Sequence, residues 1–148
     1  MNIIDALLGE HAALLTVFDH LQKFHQGWTI AQHLEASSLL EALLAQHAML
    51  EDELIFDPLL AKGGRFGETL DVMRVEHEEL RCLVADLKHA ETAPDAGRVL
   101  RRLIDVTREH FAVEERVLFQ MAAQKLGERR LQALGAEWAL RRHLSIAS

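Results

Sequence analysis

A chain of 148 residues with a formal net charge of −7 offers neither nucleic acid nor an anionic membrane the basic face that both reward. It is 49 % hydrophobic, with no tyrosine and only two prolines, the composition of an all-helical protein long enough to bury one core. A single cysteine, Cys82, excludes an internal disulfide and suits a reducing compartment. No Lys or Arg precedes Lys23, so the basic region of a secretory signal is missing, and no apolar run approaches the ~20 residues of a membrane span. These readings predict one cytoplasmic domain over residues 1–148.

Taken in order, Ile4, Leu7, Leu8, His11, Leu14, Leu15, Phe18 and Leu21 form a stripe at helical spacing and predict a first helix from about Ile3 to His25. Gly27 and Trp28 close it, with Trp28 covering the bundle end. Thr29-Ile-Ala-Gln32 has the pattern of a capping box that opens a second helix. Its stripe is Leu40, Leu43, Leu44, His47, Leu50, Glu51 and Leu54, and Asp57-Pro58 is expected to break it, with Pro58 starting a short extra turn. Gly63, Gly64 and Gly67 mark a loop. A third helix from about Glu68 to Ala90 places Leu70, Met73, His77, Leu80, Val84 and Leu87 inside. Residues 91–97, with Pro94 and Gly97, read as the next turn. The fourth helix, about Arg98 to Leu126, turns Val99, Leu103, Val106, His110, Val113, Glu114, Val117 and Met121 inward, and Gly127 ends it. A shorter helix from about Glu128 to Leu144, with Leu131, Leu134 and Trp138 on one side, caps the bundle. The fold class expected is all-α: an antiparallel up-down-up-down four-helix bundle over about 3–126, plus a C-terminal helix over about 128–144.

Each long helix carries one histidine on its inward stripe: His11, His47, His77 and His110. Counted from the helix ends of an antiparallel bundle, they fall within a couple of turns of one level, at a rise of about 1.5 Å per residue. Glu51 follows His47 by four residues and Glu114 follows His110 by four, which sets each pair on one helix face, a turn apart. The other five histidines serve as a control. His20 and His89 are turned away from the inward faces, His25 and His33 lie at the opposite end of the bundle, and His143 is on the last helix; all five read as surface or peripheral. Cys82 is off the ligand face by roughly 140° and reads as a small packed residue.

Four buried imidazoles and two buried carboxylates need a partner, and a metal is the most economical one. Nitrogen and oxygen donors without thiolate suit iron, manganese or zinc, and six of them exceed the need of a tetrahedral structural zinc. Two carboxylates able to bridge, flanked by four imidazoles, fit a pair of metals, iron foremost. Neighbouring acids are candidates to accept the second N–H of each histidine.

The segments Glu10-His11, His47-Ala-Met-Leu-Glu51, Glu76-His77-Glu78-Glu79-Leu80 and His110-Phe-Ala-Val-Glu114-Glu115-Arg-Val-Leu-Phe119 resemble the hemerythrin family, in particular its HHE cation-binding domains, over about residues 3–126. The resemblance implies that Glu51 and Glu114 bridge two iron ions (Fe2+/Fe3+) with an oxo or hydroxo group between them, and that His11, His47, His77 and His110 complete the shell. Oxygen carriers of the family place an aspartate where this chain has Glu115, which makes Glu115 the fallback for Glu114. They also carry a histidine where this chain has Met73, so one metal would have an open or water-filled position. The spacing Glu-x-x-His of ferritin-type centres is absent from the inward stripes; Asp86-Leu-Lys-His89 comes close but points outward.

The function implied is a non-haem di-iron protein that binds or senses O2, NO or a small anion, behind an apolar wall of Leu14, Phe18, Leu80 and Phe111. Alternatives are an enzyme or stress protein that removes peroxide or NO or donates iron to iron–sulfur cluster repair, and an iron store or sensor. No nucleophile or separate substrate pocket can be read, so any chemistry would belong to the metal. The expected partner is a small diatomic or anionic ligand, and a homo-oligomer is compatible with the sequence.

Overall fold

Capping side chains fix where the helices begin. In the computed structural model, which describes residues 1–63 and 67–144, Asn2 accepts from the N–H groups of Ile4 and Asp5 while Asp5 accepts from that of Asn2, opening α1 (Ile3–Phe24). A 3-10 turn, His25–Gly27, follows. Thr29 and Gln32 form the expected reciprocal box at the start of α2 (Ile30–Glu51).

The break expected at Asp57-Pro58 does not occur. A π-helical turn, Asp52–Phe56, carries α2 straight into α3 (Asp57–Ala61). Pro58 sits in the opening turn of α3, just past that wide turn, where a missing N–H is tolerated. The described chain resumes in α4 (Gly67–Lys88), so Gly67 opens a helix rather than lying in a loop, and Gly64 lies outside the described residues.

The next helix starts earlier than the sequence suggested. Thr92 caps α5 (Ala93–Val113) by accepting from Asp95 N–H, and Pro94 takes the first turn it favours, so residues 93–97 are helix rather than turn. Gly97 is buried inside α5, its open side facing the rings of His25 and His33. A second π turn, Glu114–Leu118, joins α5 to α6 (Phe119–Leu126). Gly127, at φ +77°, ends that run, and α7 (Glu128–Arg141) closes the described chain.

Side-chain pairs give the directions. Glu41–Lys88 with His77–Glu51, Glu79–Arg102 with Glu76–His110, and Asp19–Arg108 with His11–Glu115 each run in opposite sense along the two helices they join, and the short 3-10 turn doubles α2 back beside α1, where Glu10 meets His47. The molecule is an all-α bundle whose four long arms are antiparallel to their neighbours. α7 packs along the start of α1, with the Gly135 Cα facing the Asn2 backbone closely enough that a Cβ there would lie 2.8 Å from the Asn2 carbonyl carbon.

Two apolar clusters fill the interior. One gathers Ile3, Leu7, Leu50, Phe56, Met73, Leu118, Phe119 and Leu131; the other gathers Phe18, Leu40, Leu87, Leu100, Ile104 and Phe111. Along α1, α4 and α5 the histidines 11, 77 and 110 lie where one cluster gives way to the other, as His47 does on α2.

Candidate metal centre

The boundary between those clusters is a polar layer sealed from water. His11, Glu51 and Glu114 are 0 % exposed, and His47, His77 and His110 are 3 % exposed each. The structure brings all six together. Donor atoms of His11, His47, Glu51 and Glu114 lie within 4.8 Å of one another, and so do those of Glu51, His77, His110 and Glu114. Both groups contain the same two carboxylates.

The contacts trace this sharing. Glu51 faces His11 at 3.7 Å, His47 at 3.5 Å and His77 at 3.5 Å; Glu114 faces His11 at 3.4 Å, His77 at 3.5 Å and His110 at 2.9 Å. His11 Nε2 and His47 Nε2 approach to 3.0 Å. Even so, none of the four carboxylate oxygens has a hydrogen-bond partner among the described residues, and neither does His77 Nε2 or His110 Nε2. Two ionisable acids at zero exposure with every oxygen orphaned are costly without a cation between them. Imidazole nitrogens and carboxylate oxygens of this kind fit a metal ion in donor type.

A second ring of acids satisfies three of the four outer nitrogens, while His77 Nδ1 has no hydrogen-bond partner among the described residues. His11 Nδ1 donates to Glu115 at 2.9 Å, His47 Nδ1 to Glu10 at 2.7 Å, and His110 Nδ1 to Glu76 at 2.7 Å; Asp52 stands 3.8 Å from His77 Nδ1. Fixing the proton on Nδ1 turns Nε2 inward as the donor, the tautomer that metal-binding histidines need. Glu115 thus lies outside the cluster, 41 % exposed, and Glu114 lies in it. Sequence position misleads here: Glu10 and Glu76 each precede a cluster histidine but serve the histidine of a neighbouring helix.

The C-terminal helix also reaches this ring. Trp138 Nε1 donates to Glu10 at 2.7 Å and Arg142 donates to the same oxygen, while the other Glu10 oxygen holds His47. Burial would raise the Glu10 carboxyl, but the His47, Arg142 and Trp138 contacts outweigh it and keep the carboxylate ionised. Nothing in the spacing of residues 128–144 pointed to this role.

Electrostatics bind the layer together. Burial alone would lower the imidazoles, yet the Glu114 and Glu51 carboxylates raise His11 to about 10 and His77 to about 9, and Glu114 raises His110 as well. Burial in turn would raise Glu114, but His11, His110 and His77 hold it well below the usual carboxylate range. Without metal, charged His11, His77 and His110 stand against the buried carboxylates, and a metal would displace protons to enter.

Aromatic rings wall the layer. Phe111 stacks on His11 at 3.9 Å between centroids, as the expected apolar wall requires, and Phe56, which the sequence did not single out, stacks on His77 at 5.6 Å. A cleft of about 390 Å3 opens beside it, lined by His47, His77, His110, Asp52, Leu80 and Phe111 among others. Met73 is buried in the apolar cluster and belongs to neither donor group.

Of the control histidines, His20, His89 and His143 are exposed as expected, but His25 and His33 are buried, each 2 % exposed. They pack against each other because Gly97 leaves room for both rings. Cys82 is exposed rather than packed, and it is not among the grouped donors. No helix among the described residues is long and apolar enough to cross a membrane.

A search of curated proteins and a search of solved structures return no match to this chain. The sequence profile of the hemerythrin HHE cation binding domain matches residues 2–122, which span α1 to α6 and all six residues of the buried layer. With that match over most of its length and buried His/Glu groups able to hold metal at its centre, the chain belongs to the hemerythrin HHE cation-binding family.

Proposed function

We propose that the layer holds a pair of metal ions, iron first, and that the loaded protein binds or senses O2, NO or a small anion in the cytoplasm. The observation that carries this reading is the sharing of Glu51 and Glu114 between two four-donor groups, which suits two adjacent cations better than one. His11 and His47 would serve one metal, and His77 and His110 the other. An iron pair held there would supply reversible electron exchange with small diatomic ligands.

The chain's own residues do the rest. Glu10, Glu76 and Glu115 orient the imidazoles of His47, His110 and His11 from outside. Phe111 and Phe56 exclude water from the two sides they cover, and the cleft beside His47, His77 and His110 admits a small ligand. Removal of peroxide or NO is the second reading. Met73, buried in apolar surroundings one turn before His77, favours it by leaving that half of the centre one imidazole short of the oxygen carriers' pattern.

Protein from cells grown with ample iron is expected to carry two metal ions per chain, one for each donor group, by elemental analysis. Its visible spectrum is expected to differ between air and nitrogen, reversibly for a binder and with catalytic consumption of peroxide for an enzyme. A chain that retains no iron, manganese or zinc overturns the proposal.

A further inference from the structure

The far end of the bundle holds a second buried histidine pair, with no carboxylate beside it. His25, from the 3-10 turn, and His33, from the first turns of α2, lie with ring centroids 5.9 Å apart. A cleft of about 400 Å3 opens on them, lined also by Trp28 and by Pro94, Arg98 and Arg101 of α5. His33 Nδ1 donates to the Thr29 carbonyl at 3.0 Å, so its Nε2 carries the lone pair. That Nε2, and both nitrogens of His25, are buried without any hydrogen-bond partner among the described residues. Buried polar atoms of this kind are costly unless something hydrogen-bonds to them.

We propose that this cleft binds a small oxyanion of the sulfate or phosphate class, held by the Arg101 guanidinium and the imidazoles of His25 and His33. Charge decides between an anion and a cation. The charged groups facing His25 are Arg101 and Arg98 from α5 and His33 from α2; Arg98 is already paired with Asp95, while Arg101 has no carboxylate partner among the described residues. No acid lines the cleft. The opening turn of a 21-residue helix adds its positive end through Ala93 and Pro94. Burial first, then Arg101 and His33, lower the pKa of His25, and the positive charge of Arg101 opposes a cation beside it as it opposes the proton. An anion reverses that field. Neutral His25 gives it one N–H, and an anion that offsets Arg101 lets the other His25 nitrogen take up a proton and become a second donor. Binding therefore takes up protons and strengthens as pH falls.

Sulfate is the probe of choice, because it stays fully ionised between pH 6 and 8. Calorimetric titration of the metal-loaded full chain at constant ionic strength is expected to give one sulfate per chain, bound at least tenfold more tightly at pH 6 than at pH 8. Arg101→Gln should weaken it by tenfold or more, as loss of a charge-assisted contact does, and leave the metal content of the central layer unchanged. Gly97→Ala should weaken it too, since the new methyl would lie 3.4 Å from His25 Nδ1 and 3.7 Å from His33 Nε2. Comparing phenyl phosphate with inorganic phosphate separates an anchored ester from the free ion. Sulfate binding that ignores both pH and Arg101→Gln overturns the proposal. So does an absence of sulfate binding, or Zn2+ binding in its place that His25→Gln abolishes.

Discussion

Glu51 and Glu114 face three histidines each, across both halves of the buried layer, so neither half is independent of them. Glu51→Ala is therefore expected to lower bound metal below two per chain, and His77→Ala to do the same from one side only, both read by elemental analysis. Helix content of the metal-free variants, read by circular dichroism, should stay near that of the parent. Glu10 acts at one remove. Held by Trp138 and Arg142 and holding His47 Nδ1, it fixes the direction of an inward donor without facing the layer's centre itself. Outer acids of this kind are worth about 10–100-fold in metal affinity. Glu10→Ala should fall in that range in a chelator competition, while Trp138→Phe, which leaves the carboxylate and its Arg142 contact in place, should cost less. Equal retention of metal by Glu10→Ala and the parent would remove the acid from the site.

At the scale of the element, the bundle and the level of its histidines were legible because helical periodicity reports directly on which face is buried. The register beyond each His/Glu pair was not. One π turn begins directly after Glu51, at Asp52, and the other begins at Glu114 itself, and each inserts extra backbone into the repeat. Past the second one the inward stripe moves on by one residue: Leu118 and Ala122 are buried where Val117 and Met121 were expected, and Val117 is exposed. A fixed period cannot anticipate a local change in winding. Likewise Gly97 hid the true start of α5, because a glycine and a proline near each other read as a turn unless one knows that two rings occupy the missing side chain's place. Gly135 makes a similar close approach to the Asn2 backbone, whereas Gly9 has open space around it on α1. Gly135→Ala is expected to destabilise by about 1–3 kcal/mol through overpacking against backbone that cannot yield. Gly9→Ala should stabilise by roughly 1 kcal/mol from helix propensity. Urea unfolding of the two variants checks both signs; a neutral Gly135→Ala would mean that α7 is not seated against α1 as described.

For the whole molecule, the buried layer couples stability to pH and to metal in opposite directions. In the metal-free protein the raised imidazoles favour the fold when charged. Their contribution is fully present below the unfolded value near 6.5 and is lost as pH climbs through about 9 for His77 and about 10 for His11. The lowered Glu114 contributes above its unfolded value near 4.5, and that contribution is lost as acid protonates it. The metal-free chain should thus be most stable between those limits and weaken steadily from neutral to alkaline pH. Metal loading replaces the protons on the inward nitrogens, so it releases protons and tightens as pH rises. The difference in Tm between loaded and chelator-treated protein should accordingly widen from pH 6 to pH 9. A difference that stayed constant over that range would mean that metal and protons do not compete for the same nitrogens, and that the charged pairs of the layer are not what the metal displaces.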